Sequence, residues 1–213
     1  MFYNVSAWDK ENNPYLMQWA DAMNKTAESV EAWLRDSSLI NDTLVAFEAR
    51  RKLLPQYGFA IPDETALRMI AKYSPRGVLE IGAGTGYWSM LLRKLGVDVV
   101  STDSYTSKYA FGTFTPSRHV DVLKMTALEA LSVYGSEGRT LLICWPDYKV
   151  RWSGQALRKF TGITVAYVGE EMGGCTGNSV FHQTLGEWFT EVDSHDIPQW
   201  EGLHDDLTVY RRK

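Results

Sequence analysis

Between positions 79 and 87 the chain reads Leu79-Glu80-Ile81-Gly82-Ala83-Gly84-Thr85-Gly86-Tyr87. The apolar residues before the glycines predict a short strand, and the apolar pattern from Tyr87 to Leu95 predicts a helix. Glycines at such a junction let the backbone adopt left-handed torsions and let a ligand approach, while the helix N-terminus points at that ligand. The stretch therefore predicts a nucleotide-binding turn in an α/β fold.

The spacing of the glycines distinguishes two kinds of nucleotide turn. A dinucleotide-binding turn follows G-x-G-x-x-G/A, in which the third small residue lets the helix pack closely on the strand. Counting from Gly82 puts Tyr87 at that third position, where a large side chain breaks the pattern. The sequence instead follows E-x-G-x-G-x-G, beginning at Glu80. A generic turn and a site for another nucleotide are the alternatives.

A carboxylate follows the glycine turn at the distance expected for a ribose ligand. Asp103 comes after the apolar segment 97–101, which predicts the second strand. In nucleotide-binding sheets an acid about 20 residues past the turn reaches the ribose. A carboxylate suits this task because it accepts two hydroxyl donors at once. Asp103 is therefore the candidate ribose ligand, and a strand-end turn residue is the alternative.

Beyond residue 77 the predicted strands alternate with predicted helices. The strands cover 77–81, 97–101, 119–123, 140–144, 163–168, 191–197 and 207–211, and the helices cover 87–95, 126–134, 155–160 and 181–189. This alternation predicts an α/β fold with a doubly wound, mostly parallel seven-stranded sheet. The last two strands have no helix between them, which predicts an antiparallel element at the sheet edge.

The N-terminal part of the chain predicts helices. Apolar residues recur at three- and four-residue spacing over 15–34, and a second helix is expected from about residue 42 to residue 54, stopping before Pro55. A loop over 56–61 and a helix from Pro62 to Tyr73 follow. We assign residues 1–60 to an N-terminal helical cap or lid and residues 61–213 to the nucleotide-binding domain. Packing on the sheet or self-association is the alternative role for the cap.

Composition narrows the classes of function. The 213 residues are 45% hydrophobic and 23% charged, as expected of a globular domain, and the formal net charge of -4 disfavours nucleic acid as a partner without excluding it. The two cysteines, Cys144 and Cys175, lie in different contexts and predict neither a disulfide framework nor a zinc site. The absence of a signal-peptide pattern and of a long apolar run predicts a cytoplasmic protein that does not span a membrane.

The E-x-G-x-G-x-G stretch resembles motif I of the class I, Rossmann-like S-adenosylmethionine-dependent methyltransferases. The chain from about Tyr57 to Arg212 is also similar to a group of small methyltransferase-like proteins, a resemblance that indicates no substrate. It implies that Glu80 lies near the amino end of the cofactor's methionine and that Asp103 binds both ribose hydroxyls. The other residues that the resemblance implies for the S-adenosylmethionine site are Gly82, Ala83, Gly84, Gly86, Tyr87, Ser104 and Cys144.

The segment after the fourth predicted strand, Trp145-Pro146-Asp147-Tyr148, resembles an altered form of the D/N-P-P-Y/F/W motif of amino-methylating enzymes. Trp145 replaces the acid or amide, and Asp147 replaces the second proline. Asp147 and Tyr148 are the candidate catalytic residues, with Glu170 of the glycine-rich segment 169–178 across the cleft. An ordinary strand-end turn is the alternative reading of 145–148.

Other positions give weaker signals. Lys124-Met125-Thr126 offers no acid or amide for the adenine, so that role is unassigned. The histidines His182, His195 and His204 have no metal-ligand spacing, and we predict no metal site.

Two functions are compatible with these patterns. The first is an S-adenosylmethionine-dependent methyltransferase that acts on a small molecule, a base or a protein side chain. The second is a non-catalytic S-adenosylmethionine-binding partner or regulatory subunit. The altered motif at Trp145 favours the second function, whereas the presence of both Glu80 and Asp103 favours retained cofactor chemistry. The enzyme is the preferred prediction.

Overall fold

The structure, a computed structural model, describes residues 5–38, 44–106 and 117–213. The described helices are α1 (Ala7–Asn12), α2 (Pro14–Arg35), α3 (Leu44–Tyr57), α4 (Glu64–Lys72), α5 (Tyr87–Lys94), α6 (Ala127–Tyr134), α7 (Trp152–Lys159) and α8 (Ser179–Trp188). The described strands are β1 (Val78–Ile81), β2 (Val99–Asp103), β3 (Leu123–Lys124), β4 (Thr140–Cys144), β5 (Thr164–Gly169), β6 (Phe189–Asp196) and β7 (Asp206–Arg212).

The strands form one seven-stranded sheet in the order β3-β2-β1-β4-β5-β7-β6. Strands β1 to β5 pair in parallel, and β7 is antiparallel to both β5 and β6. The predicted mostly parallel sheet with an antiparallel edge is thus confirmed. In the register, Ile81 of β1 pairs with Thr102 of β2 and with Ile143 of β4, so the carboxyl ends of these three strands are level.

Helices cover both faces of the sheet, which is why β1 and β5 are buried along their whole length. Leu142 packs in a core with α2, α3, α4 and α5, whereas its neighbours Leu141 and Ile143 pack in a second core with α6, α7 and α8. Alternate residues of one strand therefore anchor the two layers.

The N-terminal helices share the first of these cores. Tyr15, Leu16 and Trp19 of α2 are buried in it. Asn13 caps α2, and its side-chain amide donates to the carbonyl of Pro62 at 2.7 Å. The domain boundary at residue 60 and the lid role of residues 1–60 stay predictions.

Several element ends differ from the sequence prediction. Helix α3 contains Pro55 and continues to Tyr57, so the predicted stop before Pro55 is wrong; its predicted start at residue 42 lies outside the described residues. A proline in the last turn removes a single helical hydrogen bond, and the ring of Tyr57 gains a stacked contact with Tyr15 at 4.9 Å between centroids.

Strands β2 and β3, at one side of the sheet, are also shifted along the chain relative to the prediction. Strand β2 starts and ends two residues later than predicted, and β3 occupies Leu123–Lys124 instead of 119–123. Both β3 residues are exposed, which gives the strand no apolar alternation to detect. None of the described helices has the length and apolar character needed to cross a membrane.

Candidate functional site

A cavity of about 690 Å³ lies at the carboxyl ends of β1, β2 and β4. In open α/β sheets this edge is where ligands bind. The predicted site residues found in its lining are Glu80, Gly82, Ala83, Gly84, Tyr87, Asp103, Ser104, Cys144, Asp147 and Tyr148. Gly86 and Glu170 are not in the lining. The structure thus brings together most of the residues that the sequence singled out.

At two positions of the glycine turn, a Cβ would be crowded by a neighbouring side chain. Gly82 has a φ of 72°, and a Cβ there would come within 3.0 Å of Cη2 of Trp152. Gly86, with a φ of 71°, caps α5, and a Cβ there would lie 2.6 Å from a methyl carbon of Val120. Gly82 therefore keeps backbone at the cavity surface, while Gly86 lets the turn pack against the segment before β3.

Asp103, the last residue of β2, ties this strand to the glycine turn. Its Oδ2 accepts the N–H of Gly84 at 2.8 Å, and its Oδ1 accepts the N–H of Tyr105 at 2.6 Å. Burial raises the pKa of this carboxyl, and the two backbone donors partly oppose that rise. Each carboxylate oxygen has a second lone pair, so Asp103 can still accept hydroxyl donors from a ligand.

Glu80 points from β1 toward α5 and is almost fully buried. The hydroxyl of Ser89 donates to its Oε2, and Ser101 donates to Ser89 at 2.6 Å. Burial, and then the neighbouring charge of Asp103, raises the pKa of Glu80 to about 7. A cation in the cavity would stabilise the ionised form of this group.

Tyr87 connects the cavity to the N-terminal helices. Its hydroxyl donates to Oδ1 of Asn13 at 2.8 Å and accepts the N–H of Tyr15 at 3.2 Å. Its ring lies edge-on to Tyr57 at 4.9 Å, and the hydroxyl of Thr85 donates to the carbonyl of Tyr57 at 2.9 Å. Through these contacts the first turn of α2 supports the last turn of α3, whose residues Leu54 and Tyr57 line the cavity.

Trp145, directly after β4, uses its polar group inside the protein. It has a φ of 52°, and its N–H donates to the carbonyl of Val168 at 2.8 Å. Its indole Nε1 donates to Oδ1 of the buried Asp205 at 2.7 Å, and its ring stacks on Phe59 at 4.5 Å. Burial raises the pKa of Asp205 to about 6. Trp145 therefore presents ring surface to the cavity and offers no polar group there.

Asp147 and Tyr148 both reach the cavity. Oδ1 of Asp147 accepts the N–H of Lys149 at 2.9 Å, whereas its buried Oδ2 has no hydrogen-bond partner in the described parts of the chain. Tyr148 is 47% exposed, with Nζ of Lys149 lying 5.3 Å from its ring centroid. Tyr148 is thus open to a ligand that enters from solvent, whereas Oδ2 of Asp147 is closed to it.

Glu170 is positioned differently from the prediction that it faces the cleft. Its carboxylate accepts the N–H of Cys175 at 2.5 Å and the N–H of His204 at 2.9 Å, and it lies outside the cavity lining. Burial raises the pKa of this carboxyl, but its hydrogen bonds to Cys175 and His204 lower it overall. These contacts close the loop after β5 and give no support to a catalytic role.

Several cavity residues have no signal in the sequence patterns. Phe59 and its stacking partner Trp145 are far apart in the sequence, with strands β1 to β4 between them. Trp152 lies before the predicted start of its helix. Met125 and Ala127 line the cavity beyond β3, where no acid or amide was found for an adenine. Within the described ranges, no cluster of three His, Cys, Asp or Glu side chains is arranged to hold a metal ion.

Comparison with known proteins gives the fold but not the reaction. Neither a protein-family model nor a curated protein matches the chain. Among solved structures, the chain is similar to the magnesium protoporphyrin IX methyltransferase of Synechocystis PCC 6803 with bound S-adenosylmethionine. This match has a TM-score of 0.50 and 9% identity, and it covers 82% of this chain and 85% of that chain. The N-methyltransferase NodS of Bradyrhizobium japonicum WM9 in complex with S-adenosylhomocysteine matches at a TM-score of 0.46 and 13% identity, over 70% of this chain and 86% of that chain. The first of these likenesses shows the fold alone.

Proposed function

We propose that this chain, which has the class I methyltransferase fold, binds S-adenosylmethionine and transfers its methyl group to an acceptor molecule. The support comes from the cavity at the carboxyl ends of β1, β2 and β4, where two carboxylates flank a glycine turn. Fold alone never establishes a reaction, so the proposal depends on the chemistry of these side chains.

The residues present fit this cofactor. Asp103 is fixed by two backbone donors and has lone pairs left for the two ribose hydroxyls. Glu80 is a buried carboxylate in the cavity lining, suited to the ammonium of the methionine end. The backbone of Gly82 and Gly84 lies between these acids, and Met125 gives an apolar surface for the adenine.

Catalysis by such a site needs alignment more than acid–base chemistry. When bound, the cofactor supplies a methyl group already activated by its positive sulfur. The protein then has to hold the acceptor molecule in line and exclude water. Asp147, which lines the cavity, would orient the nucleophile, and Tyr148 would cover it from the solvent side. No metal is required for these roles.

One observation carries the proposal: the Asp103 carboxylate bridges the end of β2 to the N–H of Gly84 at the cavity surface. The test is calorimetry of the purified chain with S-adenosylmethionine, S-adenosylhomocysteine and NAD. We expect binding of the first two and none of NAD. Binding of NAD alone would refute the cofactor assignment.

A non-catalytic cofactor-binding module is the second candidate. It is favoured by Trp145, which occupies the place of the acid or amide and whose indole N–H is already bound to Asp205. Tritiated S-adenosylmethionine incubated with cell extract and the purified chain distinguishes the two. Incorporation of label above that of a Glu80→Gln control supports the enzyme, and cofactor binding without incorporation supports the module.

A further inference from the structure

Three polar side chains are buried together between β1, β2 and α5. Glu80, Ser89 and Ser101 are each at most 1% exposed. Glu80 and Ser101 are partners in the parallel register of β1 and β2, so their side chains leave the same face of the sheet, and Ser89 reaches them from α5. Burying polar groups is costly unless they are hydrogen-bonded, so their mutual contacts have to explain why they are in the core.

The three groups form a chain of hydrogen bonds with one direction. Ser101 donates its hydroxyl to Oγ of Ser89 at 2.6 Å, and the hydroxyl of Ser89 donates to Oε2 of Glu80. An ionised carboxylate only accepts hydrogen bonds, whereas a hydroxyl can accept and donate at once. The bond from Ser101 strengthens the donation by Ser89, because chains of hydrogen bonds polarise one another. Both hydroxyls therefore favour the charged form of Glu80.

The other groups around Glu80 act on its charge in both directions. Burial raises the pKa of Glu80 to about 7, and the strongest opposing influence is the hydroxyl of Ser89. The charge of Asp103 raises this pKa further, whereas the charge of Arg93 and the backbone N–H of Ser89 lower it. Two more titratable groups are coupled to this carboxyl, Cys144 and Tyr105. The Ser89 hydroxyl is thus the main contact that keeps the buried charge attainable near neutral pH.

The two serines are separated from any ligand by the carboxylate itself. Glu80 lies in the lining of the cavity, whereas Ser89 and Ser101 do not. A molecule in the cavity therefore contacts Glu80 and not the hydroxyls behind it. Because both serines are almost fully buried, solvent does not compete for their hydrogen bonds. Any effect that they have on binding has to pass through Glu80.

We propose that Ser89 and Ser101 are positioning residues of the cofactor site, and that their hydroxyl chain holds the negative charge of Glu80 for a cationic group in the cavity. This inference rests on the proposed function, in which that group is the ammonium of the methionine end. The effect of the hydroxyl chain on Glu80 is a property of the free protein, so it can be measured without any ligand.

The first measurement is an NMR pH titration of the full chain, isotope-labelled at the glutamate carboxyl carbons. The Glu80 signal is identified as the one that is missing in Glu80→Gln. We expect its midpoint to rise by about one pH unit in Ser89→Ala, since a hydrogen bond to a charged group favours ionisation by about tenfold or more. Ser101→Ala should move the midpoint in the same direction by less, and Ser101→Thr, which keeps a hydroxyl, should restore the wild-type midpoint.

The second measurement is calorimetry with S-adenosylhomocysteine, which has the ammonium but no positive sulfur. If the ligand binds ionised Glu80, a midpoint that rises from about 7 to about 8 in Ser89→Ala should increase Kd about fivefold at pH 7 and less than about 1.5-fold at pH 8.5. A purely structural role of Ser89 would give the same loss at both pH values. In a Glu80→Gln background, Ser89→Ala should leave Kd nearly unchanged, because the charge that couples the two positions is gone.

Ser74→Ala is the matched control. Ser74 is also a buried serine, but its hydroxyl donates to the carbonyl of Ile70 at 2.7 Å and it lies outside the cavity lining. This variant should lower Tm without moving the Glu80 midpoint. Thermal unfolding verifies that each variant is folded, and the two Ser101 variants carry the test if Ser89→Ala does not fold.

The outcomes separate this inference from the cofactor assignment. Raised midpoints in the alanine variants at 89 and 101, with a pH-dependent loss of affinity that disappears in the Glu80→Gln background, support the inference. The same midpoints in a chain that binds no S-adenosylhomocysteine support the role of the hydroxyl chain while refuting the proposed function. An unchanged midpoint in both alanine variants overturns the inference, as does a loss of affinity that is equal at both pH values or that persists in the Glu80→Gln background.

Discussion

Replacing Asp103 by alanine gives a measurement of how the cavity holds a ribose. The carboxylate has two kinds of partner: the N–H groups of Gly84 and Tyr105 in the folded chain, and the hydroxyls that we expect from the cofactor. The substitution removes both, so it should change stability and affinity by separate amounts. The two amounts can be worked out from the contacts.

The loss of affinity follows from two hydroxyls left without their acceptor. Leaving buried polar partners unpaired costs about 1–3 kcal/mol, which corresponds to roughly a 5- to 150-fold higher Kd. The loss of stability is of similar size, because two charge-assisted hydrogen bonds disappear while an unfavourable burial of the carboxylate is relieved. At about 2–4 °C per kcal/mol for a chain of this length, Tm should fall by roughly 2–12 °C, and the chain should remain folded at 25 °C.

Calorimetry with S-adenosylhomocysteine measures the affinity, and thermal unfolding without ligand measures the stability. Asp98→Asn is the matched control, since Asp98 lies just before the other end of β2 in an exposed ion pair with Arg139 at 2.7 Å. We expect the control to change Kd less than about twofold, as surface pairs contribute little. An Asp103→Ala variant that loses stability but binds with unchanged affinity would show that Asp103 only braces the glycine turn and that the ribose is held elsewhere.

Three further substitutions test other parts of the site. Because the pKa of Glu80 is raised to about 7 from its ordinary value of 4.5, ionisation of this group in the folded chain is unfavourable. The free energy of unfolding, measured by urea titration, should therefore decrease as the pH rises from about 4.5 to 7, while cofactor affinity, measured by calorimetry, should increase over the upper part of that range. Glu80→Gln should flatten both pH dependences. Tyr148→Ala should reduce turnover of tritiated cofactor by at least tenfold while Kd for the cofactor changes less than twofold, because this exposed ring covers the acceptor molecule; equal losses in both would contradict its placement. Gly86→Ala should lower the free energy of unfolding by about 1–3 kcal/mol more than Gly202→Ala. Both glycines have a positive φ, but a Cβ would clash with Val120 only at position 86. Equal Tm values for the two variants would refute the steric argument.

The sheet, and the side of the cavity formed by the ends of β1 and β2, could be predicted from local sequence. The glycine turn and Asp103 belong to consecutive strand–turn segments, and the parallel register brings their ends to the same level. The glycines after the apolar run fix the end of β1 at Ile81, and β2 ends two residues beyond its predicted end. No contact between distant residues had to be known to place Glu80 and Asp103 near each other.

The part of the cavity beside Phe59 and Trp145 could not be predicted, because its geometry comes from contacts between distant segments. The Trp145–Asp205 hydrogen bond and the Phe59–Trp145 stack each join residues from different elements, and no periodic pattern reports such pairs. Glu170 shows the same limit. Its catalytic role stays a prediction, but its contacts with the backbone N–H groups of Cys175 and His204, which place it outside the cavity lining, have no signal in the local sequence.

The contrast between positions 145 and 147 bears on whether the chain catalyses a reaction. Trp145 is fully satisfied by Asp205 and Phe59, as expected of a residue that supports the wall of a site. Asp147 keeps a buried carboxylate oxygen without a partner in the described chain, at a cost of about 1–3 kcal/mol. Because that oxygen is closed to the cavity, a second molecule reaches it only if the Asp147 side chain turns. Methyl transfer from an activated sulfonium needs alignment of the acceptor more than a polar group at one fixed position, so the loss of an acid or amide at position 145 does not by itself argue against catalysis.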